Sequence, residues 1–300
     1  MTLNKIKGNT YYIDGPTNCG IFTFKNRNCL IIDTGINNGE AKKIENLLLE
    51  NNLHPKYIIN THSHSDHCGG NLYFKKIYPG CLVYASKGET LFMQNPDLFS
   101  SILSSCYPSK AFIKGNKPMD VDFILDYGIN KLNDEKFNII SLPGHSKDHI
   151  GIITQEKVCF LGDSIFSNEI LNKYSFPYLY NIEDSLASLN IIKELDADYF
   201  VISHSEKILT KDEINNLADV NIKNIYKYKD EILDLLEQPL TREDIMENIT
   251  ILNELSLDFH EYHLNFSGIC AFINFLYNNK LIDYSIEDGK LYYFNTSKLK

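Results

Sequence analysis

Apolar and polar positions follow two rhythms along this 300-residue chain. Short runs rich in Val, Ile, Phe and Tyr, bounded by Gly, Pro, Asn or Asp, predict strands at 10–14, 20–24, 28–33, 56–60, 82–84, 137–142, 150–154, 157–161 and 199–202. Between them, Ile and Leu recurring at spacings of three and four predict helices at 39–50, 182–195 and 210–236. Strands and helices interleaved in this way make an α/β protein. From Thr241 the rhythm changes. Helices are predicted at 242–255 and 267–279, and LIDYSIEDGKLYYF reads as a hairpin turned at Asp288-Gly289. Helix, helix, hairpin suggests a small winged-helix-like unit at 240–300, joined to a main domain at 1–209 by a connecting helix at 210–239, with Pro239 at the seam.

One segment interrupts the alternation. The predicted strand at 56–60 runs into THSHSDHCGG at 61–70, which holds three of the nine histidines. Residues two apart point in opposed directions on a helix but to the same side of an extended segment. His62 and His64 can therefore share one cation at the end of a strand. After a turn, Asp66 and His67 reach a neighbouring position, and Gly69-Gly70 let the backbone bend closely before a helix begins. More ligands have to come from elsewhere, and three strand ends offer one each: His145 in LPGHS, Asp163 in FLGDS and His204 in VISHS. A carboxylate can bridge two cations and an imidazole cannot, which makes Asp163 the bridging candidate. Imidazole and carboxylate without thiolate is the ligand set of a hydrolytic zinc site, and it also suits iron or manganese.

Composition narrows the function classes. A net charge of -10 and a pI near 5.4 argue against general affinity for nucleic acid or anionic membrane, because both need a positive field. The opening MTLNKIKGNTYYIDG lacks the apolar core of a signal peptide, and no stretch approaches ~18 apolar residues, so a cytoplasmic protein is expected. Seven scattered cysteines without a CxxC pair suit reduced thiols.

The combination HSHSDH, PGHS, GDS and SHS, preceded by Asp33-Thr34-Gly35 after the third predicted strand, resembles the metallo-β-lactamase superfamily over residues 8–210. The resemblance implies a four-layer αββα sandwich with a dinuclear site at the edge between two sheets. It assigns His62, His64 and His145 to the first metal, Asp66, His67 and His204 to the second, and Asp163 to both. Two zinc ions are implied, with an activated hydroxide between them as nucleophile and Asp66 as the catalytic carboxylate that orients it or takes its proton. Asp33 is expected to orient a ligand, and His149 to serve the start of a strand. Cys68 is expected to be a small buried residue, and His54, His260 and His263 to be ordinary.

The substrate is less legible. Aromatic residues crowd two predicted loops, 85–123 and 164–182, which serve equally as pocket walls or as core. Glyoxalase II enzymes, within the same superfamily, hold glutathione with a basic cluster in their C-terminal helices. Residues 240–300 of this chain instead carry five basic and nine acidic side chains. The expected activity is hydrolysis of a small ester, thioester or lactone by a protein acting alone or as a homodimer. A phosphodiesterase or ribonuclease with the same metals is an alternative, favoured by the tail's resemblance to endoribonuclease-like members and opposed by its charge. An iron oxidoreductase resembling sulfur dioxygenases is another. The diiron electron-transfer branch is disfavoured, since it carries glutamate where this chain has His64. A winged-helix regulator that only senses metal is a non-enzymatic fourth.

Overall fold

The computed structural model describes residues 1–115, 117–174 and 176–296. Seven strands form the first sheet in chain order: β1 (Leu3–Lys7), β2 (Thr10–Ile13), β3 (Cys19–Thr23), β4 (Asn28–Ile32), β5 (His54–Ile59), β6 (Leu82–Ala85) and β7 (Phe123–Ile124). The first four pair antiparallel as a meander, and β4 to β7 run parallel. Parallel neighbours need crossovers. These are α1 (Asn38–Glu50), the pair α2 (Ser65–Cys68) and α3 (Asn71–Ile77), and the pair α4 (Lys87–Gln94) and α5 (Asp97–Ser104). The second sheet has the order β13-β12-β11-β10-β9-β8, built from β8 (Gly128–Leu132), β9 (Glu135–Ser141), β10 (Ile150–Ile153), β11 (Val158–Phe160), β12 (Tyr199–Val201) and β13 (Leu209–Thr210). The helices α6 (Asn168–Tyr174) and α7 (Ile182–Glu194) connect β11 to its parallel neighbour β12.

Side-chain alternation explains the layering. In β4, Leu30 and Ile32 face the second sheet and, with Phe22 and Ile59 of their own sheet, meet Phe137, Ile139, Ile152 and Val201. Cys29 and Ile31 face the other way, onto Ala41, Ile44 and Leu48 of α1 and Phe74 of α3. A strand buried on both faces has to be apolar throughout, as CLII is. The second sheet likewise turns Cys159 and Phe200 outward to Leu189 and Ile192 of α7. The result is helix, sheet, sheet, helix, the four layers expected.

The remaining elements are α8 (Lys211–Leu235), α9 (Arg242–Leu252), α10 (Phe259–Asn278) and the hairpin β14 (Ile282–Glu287) with β15 (Lys290–Asn295). Asp288 and Gly289 both adopt positive φ, 50° and 78°, the conformation a tight hairpin turn requires. One apolar cluster runs from Leu142 and Phe200 through Ile225 of α8 to Ile269, Phe272 and Leu276 of α10 and Ile282 of β14. The tail is thus continuous with the core beneath the second sheet.

Several boundaries differ from expectation. The chain begins with β1, whose half-buried LNKIK lacks an apolar pattern, so Asp33 follows the fourth strand rather than the third. Residues 85–123 contain α4 and α5 rather than loop alone. The last helix starts at Phe259, eight residues before the position predicted, because Asp258 caps it in a reciprocal pair with Glu261.

Asn221 of α8 joins the tail to the segment that follows Asp163. Its Oδ1 accepts from the Phe166 amide at 3.0 Å, and its Nδ2 donates to the Phe166 carbonyl at 2.8 Å and to Leu217 O at 2.9 Å. Asn221→Ala leaves both Phe166 backbone groups unpaired in the core, a cost of about 1–3 kcal/mol. The expected outcome is a lower urea midpoint with unchanged far-UV circular dichroism; an unaltered midpoint contradicts it.

Candidate metal centre

All seven candidate side chains meet at one end of the sandwich, where β5, β9, β11 and β12 terminate. The segment after β5 carries four of them. His62 leaves it at a bend and His64 in extended conformation, and α2 then presents Asp66 and His67. The glycines after this turn are obligatory, since a Cβ on Gly69 would lie 2.1 Å from Ile36 O and one on Gly70 2.3 Å from Thr34 O. Gly162, before Asp163, has φ of +55° and leaves 2.5 Å between a built Cβ and His149 Nε2.

Two groups of donor atoms result, each with its atoms within 4.8 Å of one another: His62, His64 and His145 in the first, and Asp66, His67, Asp163 and His204 in the second. In the first, His145 Nε2 and His64 Nδ1 are 2.9 Å apart. In the second, Asp163 Oδ2 is 3.4 Å from both His67 Nε2 and His204 Nε2, and Asp66 Oδ2 is 3.4 and 3.2 Å from the same two nitrogens. Asp163 Oδ2 is also 3.7 Å from His145 Nε2, so it faces both groups.

The far side of three of the rings is tied down. His67 Nδ1 donates to Asp33 Oδ2 at 2.8 Å, His145 Nδ1 to Tyr178 O at 3.1 Å, and His204 Nδ1 to Pro16 O at 2.7 Å. Such bonds set the tautomer and aim Nε2 into the site. Asp33 also accepts from the amide and hydroxyl of Thr61, so its expected orienting role is realised. His149 does more than start a strand. Its buried ring lies 4.8 Å from that of His62, and its Nε2 accepts from the Asp163 amide at 3.1 Å. The spacing in GHSKDH offered that signal, since His149 follows His145 on the same short turn. Cys68 is buried and its thiol donates to Ser63 O and His64 O, outside both groups. His54 and His260 are exposed, and His263 packs tilted against Phe112 and edge-on against Phe259.

The residues fit a cation. Among the described residues, five buried side-chain atoms have no hydrogen-bond partner, and three of them, His62 Nε2, His67 Nε2 and Asp163 Oδ1, belong to these groups. Buried polar atoms are otherwise nearly always paired, and a shared cation is the partner that converging lone pairs accept. Electrostatics separates the two groups. Burial, with help from neighbouring imidazoles, pushes His62 far down and His64 to about 3, leaving neutral rings. At His67 and His204 burial opposes the charged form, but Asp163 and other carboxylates outweigh it, raising His67 well above its ordinary value and His204 to about 10. Protons therefore occupy the second group until a cation displaces them.

Residues 12–204 match the family model of the metallo-beta-lactamase superfamily. Hydroxyacylglutathione hydrolase 1 of Vibrio vulnificus is 28% identical over 251 residues, covering 80% of this chain and 87% of the relative. Hydroxyacylglutathione hydrolase GloC of Haemophilus influenzae is 33% identical over 167 residues, covering 53% and 71%. Among solved structures, a metallo-beta-lactamase family protein of Thermus thermophilus superposes with a TM-score of 0.74 at 19% identity, over 96% of this chain and 98% of the other.

These shifts predict a stability maximum. His67 and His204 hold protons in the fold, so their stabilisation is complete below pH 6.5, their ordinary value, and is lost as pH climbs toward 10. His62 and His64 are neutral in the fold, so acidification below 6.5 favours the unfolded chain. In excess chelator, Tm is expected to peak near about pH 6.5 and fall on both sides, with the alkaline limb flattened in His204→Ala. A Tm that rises steadily to pH 10 contradicts this.

Proposed function

The chain belongs to the metallo-beta-lactamase superfamily, and from that premise we propose that it is a metal-dependent hydrolase of a small ester, thioester or lactone. The observation that carries the proposal is the set of buried, unpartnered ligand atoms on His62, His67 and Asp163, gathered with four more donors at one sheet edge. His62, His64 and His145 would hold one cation, Asp66, His67 and His204 a second, and Asp163 both. Nitrogen and oxygen donors without thiolate favour a zinc pair and also suit iron or manganese. When bound, such a pair lowers the pKa of water from 15.7 toward about 7 and polarises a carbonyl oxygen.

The chain's own residues do the rest. Asp66 is the more accessible carboxylate, its side chain 31% exposed against 9% for Asp163. We assign it to orient the attacking water and to receive its proton. Asp33, Tyr178 O and Pro16 O keep three imidazoles aimed inward while the substrate turns over, so little reorganisation accompanies the reaction. Phe99 lies 4.8 Å from the His64 ring, and Tyr178 and Phe166 lie 5.8 and 5.7 Å from that of His145. This aromatic wall suits the apolar part of an acyl group and excludes water from it. The names of the Vibrio and Haemophilus relatives support a thioester within this class. Five basic against nine acidic side chains in residues 240–300 speak against glutathione as the thiol carrier.

A panel of ester, thioester, lactone, β-lactam and phosphodiester substrates tests the reading. Carboxyl-derivative hydrolysis that a chelator abolishes and zinc restores is expected. Asp163→Ala is expected to lower kcat/KM by more than the ~10–100-fold typical of losing a group that only orients a ligand. Preferential turnover of the phosphodiester, or full activity in Asp163→Ala, overturns it.

A further inference from the structure

Glu89, in the first turn of α4, is fully buried and belongs to neither donor group. Its carboxylate accepts four hydrogen bonds. Oε2 takes the Ser63 amide at 2.9 Å and the Ser63 hydroxyl at 2.6 Å, and Oε1 takes the Ser146 hydroxyl at 2.8 Å and the Asp148 amide at 2.9 Å. Ser63 lies between His62 and His64, and Ser146 follows His145. One carboxylate thus joins the two loops that supply all three imidazoles of the first group.

We propose that Glu89 is a positioning residue, which sets the separation of His62 and His64 from His145 and so tunes the first group, and only that group, for its cation. The inference rests on the metal-binding reading above. Three features support a dedicated clamp. Both oxygens are saturated and the side chain has no exposure, so Glu89 has no lone pair left for substrate. The same helix is locked to the His145 loop a second time, because Asp148 Oδ2 accepts from the Gly88 amide and Asp148 O from the Ser86 hydroxyl, both at 2.6 Å. A side chain at position 88 would abut Asp148, with a built Cβ 2.5 Å from Asp148 Cβ. Finally, one partner of each oxygen is a backbone amide, which can only donate. Glutamine in place of Glu89 must then set its own NH2 against the amide of Ser63 or of Asp148, whereas the two hydroxyls can rotate to adapt. The pairing is specific to a carboxylate, and the disturbance falls on a ligand-bearing loop whichever way the amide turns.

Titration of the chelator-treated full chain with Zn2+ against a competing chelator yields two dissociation constants. Cadmium-113 NMR assigns them, because a site of three imidazoles and one richer in carboxylate resonate apart. Glu89→Gln is expected to weaken the three-imidazole site ~10–100-fold, as loss of a ligand-orienting partner does, and to leave the other within about twofold. Ser146→Ala, which deletes one hydroxyl from the same clamp, is expected to give a smaller loss at the same site and serves where Glu89→Gln fails to fold. Equal losses at both sites, or unchanged affinities in a folded variant, overturn the inference alone. Wild-type protein that takes up no cation overturns the metal reading and this inference with it.

Discussion

The structure is organised around a local conflict. An apolar sandwich, its two sheets closed on Phe22, Leu30, Phe137 and Ile152, ends in a cluster of imidazole and carboxylate atoms turned toward one another rather than toward water. Neutral rings at His62 and His64, protonated rings at His67 and His204, and anionic Asp66 and Asp163 form a charge pattern that a protein interior tolerates only when each lone pair has a partner. The unpartnered Nε2 of His62 and Oδ1 of Asp163 mark where that partner belongs, and the Nε2 of His67 can join them once its proton leaves. The same arrangement suits a divalent cation, which binds lone pairs held together against their mutual repulsion.

Holding them together falls to residues outside the donor set. Each ligand loop is restrained from behind by a different part of the chain: the loop after β2 through Pro16 O and Asn18, whose amide donates to Ile202 O and Ser205 O on either side of His204; the turn after β4 through Asp33; α4 through Glu89; and the 176–180 segment through Tyr178 O. The tail belongs to this scaffold. Phe176, two residues before Tyr178, packs on Phe272 and Tyr228, and a side chain at Gly268 would meet its ring at 2.9 Å. The fit among α8, α10 and the second sheet thereby reaches the orientation of His145. Restraint from several directions keeps seven donors in place where any one loop, bending alone, would relax into water.

The seven candidate donors are legible in the sequence because their chemistry and their spacing are both local. HSHSDH needs only the geometry of an extended segment followed by a turn, and His145, Asp163 and His204 each follow an apolar run that reads as a strand. The nine predicted strands are all present, since buried runs such as CLII and YFV carry their own signal. The start of α10 lies ahead of the apolar periodicity that predicts the helix, because its signal is the capping pair Asp258 and Glu261.

Residues whose meaning is a contact were not legible. Glu89 reads as one more acid in an amphipathic stretch, Asn221 as a polar residue in a long helix, and His149 as the residue before a strand. Each acquires its role from an atom 14 to 59 positions away in sequence. The amino-acid sequence by itself determined the layered α/β architecture and the identity of the seven donors, since strand periodicity and ligand chemistry are properties of short segments. Only the tertiary structure decided which side chains aim those donors, because a hydrogen bond between distant loops exists only once the sheets have packed.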